Sequence, residues 1–362
     1  MTDVFAVQDE IAAAVVEELK IKLLGATPKA KTTDPRAYAL FLKAREISRQ
    51  YTAGALEQSI ALYKEFLAID PLYAPAWDGL AIAYETQVDT DLRLADEGIR
   101  LALDATTQAL AVDPSYAPSH ASLAWIALFF DRDLAAAARH LERALALEAA
   151  KPDIIATAAV LARRLGRLDQ AISIGEYLVA HDPVNADTHA DLGFAYRYAG
   201  RLDDAIAVSR TVLSLRPGYL WRHTTIGEML LQKGDPEAAL AEMQKESGEQ
   251  PRLAGLSMAY HALGRSAESD AALAEIIKKY EKTSASSIAM VFAFRGEPDR
   301  AFEWLDKAVQ YNDTDLGATA VHPMYANIHA DPRWLPFLRR IGMAPEQLAA
   351  IKFDVTVPNQ SR

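Results

Sequence analysis

The chain has 362 residues, of which 51% are hydrophobic and 24% charged, and it carries a formal net charge of -11 with no cysteine. This composition is that of a folded protein with a large core, and the acidic balance argues against nucleic acid as a partner. The missing cysteines exclude disulfides, thiolate nucleophiles and zinc-thiolate sites, and leave the compartment open.

The N-terminal segment predicts an amphipathic helix over residues 1–25. Acidic residues such as Asp9 and Glu17 interrupt its apolar positions, which argues against a secretory signal peptide. The longest apolar stretch, ASLAWIALFF, has about ten residues, whereas about 20 are needed to cross a bilayer. The sequence therefore predicts no membrane span and favours a cytoplasmic location, with the periplasm as the alternative.

Two kinds of turn separate the helical segments that follow. One kind has a glycine after a helix and a charged residue next, and glycine suits the left-handed turn at a helix end. These glycines are Gly166, Gly200, Gly234, Gly264 and Gly296. The other kind carries a proline, as at Pro183, Pro217 and Pro251, and proline stops a helix. The alternation predicts a repeated helix hairpin, with Gly200 and Gly234 inside repeats and Pro217 and Pro251 between them.

The hairpin pattern recurs at an interval of 34 residues. Positions from His189 to Pro217 are matched 34 residues later by positions from His223 to Pro251. Small residues at matched positions, such as Gly193, allow paired helices to approach closely. One hairpin cannot bury both of its faces, so neighbouring hairpins must stack.

This pattern resembles the tetratricopeptide repeat, a helix-turn-helix unit of about 34 residues. The resemblance implies an all-α, right-handed superhelical solenoid of antiparallel helix hairpins. We predict an array of about eight repeats over residues 26–316 and a C-terminal capping segment over 317–362, in which Trp334 holds the cap to the last repeat. The stretch VDTDLRLAD, residues 88–96, lengthens one hairpin and is expected to protrude as a helix extension or loop.

The two ends resemble a more particular group of proteins. DVFAVQDEIAAAVVEELKIKL is similar to the segment that joins a TolB-like domain to a tetratricopeptide array in bacterial signalling proteins. FRGEPDRAFEWLDKAV and DPRWLPFLRRIGM are similar to the closing segment of the same proteins. Their preceding module is commonly a class III adenylate cyclase or a winged-helix regulator, and we expect neither in this sequence. The chain is thus expected to be part of a longer protein or a short natural relative.

The motifs of zinc peptidases, serine hydrolases and nucleotide-binding loops do not occur. His189 and His223 occupy equivalent hairpin positions and are interpreted as packing residues. His322 and His329 lie two helical turns apart without an acidic ligand, so a capping role is favoured over a metal site. The acidic residues around Asp89 and Asp91 lack the spacing of a calcium loop. We therefore predict no catalytic residue, no cofactor and no metal.

The candidate binding site is the concave groove of the array. In such arrays the first helix of each hairpin lines that groove, and the repeat register assigns nine candidate residues to it. They are Ile82, Glu85, Trp125, Phe129, Arg163, Arg164, Phe194, Arg197 and Glu228. Aromatic rings beside arginines favour an apolar segment that carries an acidic residue. The alternative is that these aromatic rings only pack between turns of the superhelix.

Three function classes follow from these observations. The favoured one is a non-catalytic protein-protein interaction or regulatory module of a bacterial signalling protein that binds a peptide or helix in its groove. The second is a scaffold that self-associates into a homo-oligomer. The third is an enzyme whose site is not visible as a motif.

Overall fold

The computed structural model describes residues 34–50, 52–90 and 92–355, and the predicted N-terminal helix lies outside them. These residues form sixteen helices that pair into eight antiparallel hairpins, and no β-strand is found among them. In chain order the pairs are α1 (Pro35–Ser48) with α2 (Ala53–Ile69), α3 (Ala74–Asp89) with α4 (Ala95–Val112), α5 (Ala117–Ile126) with α6 (Leu134–Leu147), α7 (Pro152–Arg164) with α8 (Leu168–His181), α9 (Ala186–Tyr198) with α10 (Leu202–Leu215), α11 (Arg222–Gln232) with α12 (Pro236–Met243), α13 (Glu249–Ala262) with α14 (Ser266–Tyr280), and α15 (Ala285–Phe294) with α16 (Pro298–Gln310). The predicted all-α solenoid is confirmed.

The turns inside the hairpins follow the glycine pattern. Gly200 and Gly234 have φ values of 75° and 78°, and each sits between the two helices of one hairpin. A side chain in this left-handed region would be strained, which explains why glycine recurs there. Pro217 lies between α10 and α11 as predicted, whereas Pro251 lies in the first turn of α13 and not between repeats. Proline is tolerated there because first-turn N–H groups have no partner within the helix.

Small residues fill the hairpin interfaces. Gly193 and Ala205 face each other between α9 and α10, and a methyl group on Gly193 would lie 3.8 Å from the carbonyl oxygen of Ala205. The contact is tighter at Gly227, where a Cβ would lie 2.5 Å from Cγ of Met243. Close approach at these positions is what the repeated small residues provide.

The predicted insertion lengthens the second hairpin. Helices α3 and α4 contain 16 and 18 residues, against 13 and 14 in α9 and α10. Leu94 in the connection is 80% exposed, and Arg93 pairs with Glu57 and Glu97. Asp91 and the side chain of Asp89 lie outside the described residues, so their expected exposure stays a prediction.

A C-terminal segment follows α16 and turns back across the array. Short helical turns at Thr314–Ala318 and Pro323–Ile328 precede α17 (Trp334–Arg340) and α18 (Pro345–Ala350). Trp334 is buried against His329, with ring centroids 4.6 Å apart.

The last described residues then reach α8 in the middle of the array. Arg167 donates hydrogen bonds to the carbonyl oxygens of Ile351 and Phe353. Gln170 donates to the carboxylate of Asp354 at 3.1 Å. We call residues 351–355 the strap, because they tie the C-terminal end to the fourth hairpin.

Candidate ligand-binding cavity

A cavity of about 340 Å³ lies between the first helices of the middle hairpins and the C-terminal segment. Four arginines line it, and we call it the arginine cavity after them. They are Arg163, Arg164, Arg197 and Arg222. Helices α7, α9, α11 and α15 contribute to one side, and residues 315–325 contribute to the other. The C-terminal segment therefore covers part of the inner space of the array here, and the cavity stays open on the side of Leu220.

The positions of the arginines follow from the hairpins. Arg163 and Arg164 end α7, and Arg197 lies in the last turn of α9, so three cations sit where the helix dipole favours positive charge. Arg222 is different, because it is the first residue of α11. The positive end of that helix is met by the carboxylate of Glu246, which accepts a hydrogen bond from the backbone N–H of Thr224 at 3.4 Å.

The residue before Arg222 has an unusual backbone. Trp221 has φ 68° and ψ -9°, a left-handed conformation that bulky side chains rarely adopt. It directly precedes the helix and sets the direction in which Arg222 enters the cavity. Trp221 and the exposed Leu220 also line the cavity wall.

All four arginine side chains are buried, but their pairing differs. Arg197 is 1% exposed, and its Nη2 lies 2.7 Å from Oε2 of Glu228, whose side chain is 3% exposed. Nη2 of Arg163 lies 3.4 Å from Oδ1 of Asp191.

Three of the guanidiniums have buried hydrogen-bond donors without an acceptor in the described part of the chain, since Nε of Arg197 also lacks one beside its ion pair with Glu228. Among the described residues, Nε and Nη1 of Arg164 and Nε and Nη1 of Arg222 are buried without a hydrogen-bond acceptor. A buried N–H group without an acceptor costs free energy, more so when the group is charged.

Aromatic rings support the arginines in place of acceptors. The guanidinium of Arg164 lies 4.6 Å from the ring centre of Phe129. The guanidiniums of Arg163 and Arg222 lie 5.2 and 4.9 Å from the ring centre of Phe194. Such contacts stabilise a desolvated cation by about 2 kcal/mol without supplying a hydrogen-bond acceptor to its N–H groups.

The charge balance of the cavity is positive. Its lining holds the four arginines against the carboxylates of Glu228 and Asp315, and Asp191 contacts Arg163 from outside the lining. Burial raises the pKa of Glu228 although Arg197 opposes this shift. Burial also lowers the pKa of Arg164 to about 10, which keeps it protonated at neutral pH. Within the lining itself, four cations stand against two carboxylates, and Asp191 and Asp313 lie directly outside it.

His322 adds no charge at neutral pH. Burial, and then the proximity of Arg197, lowers its pKa well below the usual value. Its Nε2 lies 3.9 Å from Oε2 of Glu228.

The C-terminal wall of the cavity is fixed to α15. The carboxylate of Asp313 accepts a hydrogen bond from the backbone N–H of Ser286 at 2.8 Å, and Tyr325 donates to the carbonyl oxygen of Ser286 at 2.8 Å. Gly317 leaves room for Arg164, since a Cβ there would lie 1.8 Å from its Nη1. Hydroxyl groups of Thr225 and Thr319 line the same space.

Six of the nine predicted groove residues line the arginine cavity. They are Phe129, Arg163, Arg164, Phe194, Arg197 and Glu228. The other three do not line it: Ile82 is exposed, Glu85 is buried, and Trp125 packs against Phe129 with ring centroids 5.2 Å apart. Arg197 and Glu228 form a buried pair and are not on an open surface.

Sequence reasoning missed Arg222 and every residue that the C-terminal segment contributes. Arg222 precedes His223 in the repeat register, at a position where Thr188 stands one repeat earlier, so the register carried no signal for it. The two hairpin histidines do serve local packing: His189 contacts the carbonyl oxygen of Pro183 at 2.9 Å, and His223 contacts Glu242 at 2.6 Å.

Within the described ranges, no group of three or more histidine, cysteine, aspartate or glutamate side chains could hold a metal ion. Over those ranges, no helix combines the length and apolar character that a membrane span requires.

Comparison with known sequences gives a partial match. No protein-family model matches the chain. A putative adenylate cyclase 3 of Rhizobium meliloti (strain 1021) is 29% identical over 129 residues, which is 34% of this chain and 22% of that protein. The chain thus matches only about a fifth of that relative's length.

Solved structures align over more of the chain. A monomeric variant of IFIT1 with Gppp-AAAA aligns over 84% of this chain and 78% of its own, with a TM-score of 0.52 and 16% identity. The human IFIT1 dimer with m7Gppp-AAAA aligns over 71% and 68%, with a TM-score of 0.50 and 17% identity. IFIT1 is a tetratricopeptide repeat protein. By its fold, this chain is therefore a tetratricopeptide-type α-solenoid.

Proposed function

We propose that the chain is a non-catalytic interaction module of a bacterial signalling protein and that it binds an acidic, apolar segment of a partner protein. The observation that carries this proposal is the pair of buried guanidiniums, Arg164 and Arg222, which line a cavity with aromatic walls and whose Nε and Nη1 atoms have no hydrogen-bond acceptor among the described residues. Free donors of this kind match a carboxylate or a similar anion.

The walls of the cavity suit the apolar part of such a segment. Phe129 and Phe194 are half-buried, and Leu220 is 54% exposed, so apolar surface remains open beside the cations. We call Phe129, Phe194, Leu220 and Trp221 the rim. Because the C-terminal segment closes the other side, one side chain of the partner enters and its neighbours lie on the rim.

The signalling context rests on the partial likeness to a putative adenylate cyclase. We place the chain in the cytoplasm, with the periplasm as the alternative. The two IFIT1 structures hold capped oligonucleotides, but the net charge of -11 on this chain opposes binding of an RNA backbone.

A random-peptide display selection on the full chain tests the proposal. We expect enrichment of peptides in which an acidic residue is flanked by apolar ones. Phe129→Ala or Phe194→Ala should each weaken the selected peptides by about 2 kcal/mol, close to 30-fold, as expected for a buried aromatic contact.

The matched control is Tyr260→Ala. Tyr260 is also half-buried and covered by an arginine, with Arg265 4.5 Å from its ring centre, but it does not line the cavity. Equal losses in the rim and control variants, or enriched peptides without an acidic residue, would contradict the proposal. Light scattering on the same samples tests the self-association alternative.

A further inference from the structure

The arginine cavity offers more positive charge and more donors than a single carboxylate uses. Two guanidiniums present four nitrogen atoms without acceptors, Nε and Nη1 of Arg164 and of Arg222. A carboxylate presents two oxygens in one plane, whereas a phosphoryl group presents three oxygens in a tetrahedral arrangement and close to two negative charges. Two nonequivalent guanidiniums are better satisfied by the second geometry.

The remaining polar groups agree with such a dianion. Thr225 and Thr319 also line the cavity, and a threonine hydroxyl can donate a hydrogen bond to a further oxygen. Glu228 does not repel the anion from the free donors directly, because its carboxylate is engaged by Arg197 at 2.7 Å.

Size also separates the two ligand classes. The cavity of about 340 Å³ is in the range of small-molecule sites, and it exceeds the volume of an aspartate or glutamate side chain. A phosphate monoester with an apolar or aromatic substituent would place its anionic group near the arginines and its substituent against Phe129 and Phe194.

We propose that the arginine cavity is a binding site for a phosphate monoester, held through the guanidiniums of Arg164 and Arg222. The anion is either a phosphorylated residue of the partner segment or a free monoester. The first of these sources rests on the proposed function. The binding chemistry is the same in both cases, and the test separates the two sources.

The first measurement uses free ligands and the full chain. Isothermal titration calorimetry at constant ionic strength compares phenyl phosphate with benzoate, which has the same ring and a carboxylate. We expect phenyl phosphate to bind at least tenfold more tightly. Equal affinity of the two ligands would overturn the proposal, because it would show attraction to charge without recognition of the phosphoryl group.

Variants then locate the site. Arg222→Gln should weaken phenyl phosphate at least tenfold. The control is Arg295→Gln, which removes an arginine that is 12% exposed and fully engaged by Asp270 and Glu297 outside the cavity. A loss in the control as large as that in Arg222→Gln overturns the assignment.

A second variant avoids any change of charge. Gly317→Ala places a methyl group where Nη1 of Arg164 lies, so Arg164 must shift while all four guanidiniums remain. We expect at least fivefold weaker binding of phenyl phosphate, with an unchanged far-ultraviolet circular dichroism spectrum. Unchanged binding in both Gly317→Ala and Arg222→Gln would place the ligand elsewhere and refute the proposal.

Peptides identify the source of the phosphoryl group. Each peptide from the display selection is synthesised with aspartate or with phosphoserine at its acidic position. A phosphoserine peptide that binds at least tenfold more tightly than both its aspartate form and phenyl phosphate assigns the site to a phosphorylated partner. Tight binding of phenyl phosphate without any selected peptide assigns it to a free monoester and removes the proposed function. Selected aspartate peptides that bind as well as phosphoserine forms retain the proposed function and refute the phosphoryl site.

Discussion

The buried pair of Arg197 and Glu228 gives the sharpest prediction about stability. Their side chains are 1% and 3% exposed and the ion pair spans 2.7 Å. Glu228→Gln preserves the size of the side chain but leaves Arg197 without its counter-charge beside three other guanidiniums. Removal of one partner of a buried ion pair costs about 3–5 kcal/mol, and the neighbouring cations place this case at the upper end.

The change in melting temperature follows from the size of the chain. An unfolding entropy of about 2.1 cal/mol/K per residue, over the roughly 320 residues described, corresponds to a loss of about 6 °C for 4 kcal/mol. Differential scanning calorimetry at pH 7 measures this shift.

A double variant separates the charge from the packing. Arg197→Met with Glu228→Met removes both charges, and we expect a melting temperature within about 2 °C of wild type, since apolar replacement of a buried pair is often neutral or stabilising. A shift below 1 °C in Glu228→Gln, or a double variant as unstable as the sum of the single ones, would show that the pair is not the buried ion pair described.

Four further outcomes are expected. Because burial and Arg197 lower the pKa of His322, the neutral form contributes stability above pH 6.5, and this stability is lost as the pH falls, by up to about 1.4 kcal/mol per pH unit. His322→Gln should therefore flatten the decline in melting temperature from pH 6.5 to 5.5. Equal slopes in wild type and variant would contradict this. Arg222→Met should raise the free energy of unfolding by about 1 kcal/mol, since it removes a buried charge with free donors; a loss above 1 kcal/mol in urea unfolding would mean that Arg222 is structural. Trp334→Ala should cost about 3–5 kcal/mol by leaving a cavity beside His329, and a melting temperature within 1 °C of wild type would disprove its role in the cap. A chelator should leave the melting temperature unchanged, because the described residues hold no group of potential metal ligands; a decrease would restore a metal site.

Local signals in the sequence predicted the hairpins because each depends on one or two residues. Gly200 and Gly234 adopt the left-handed turn that their position after a helix requires. Pro251 misled the prediction, since proline suits the first turn of a helix as well as the turn before it. Here α12 ends at Met243 and the next helix starts at Glu249, before the proline.

The cavity could be predicted only in part. The repeat register places Phe194, Arg197 and Glu228 on the inner face because it records which face of a helix meets the interior. It cannot predict the contribution of the C-terminal segment, which includes His322 and Tyr325, because the residues of that segment have no equivalent positions in the repeats. The direction in which Arg222 enters the cavity depends on the positive φ of Trp221. A tryptophan in the sequence gives no reason to expect that conformation.

The strap changes the mechanical character of the array. In an open solenoid each hairpin contacts only its neighbours, so the curvature can flex and stability is close to a sum of nearest-neighbour terms. The contacts of Arg167 and Gln170 with residues 351–355 join the fourth hairpin to a segment more than 180 positions away in sequence. The part of the array from α8 to the strap therefore forms a closed loop of contacts. We expect these contacts to restrict its bending and extension. We therefore expect a ligand in the arginine cavity to meet walls whose movement the strap limits, so that less of its binding free energy is spent on bending the array.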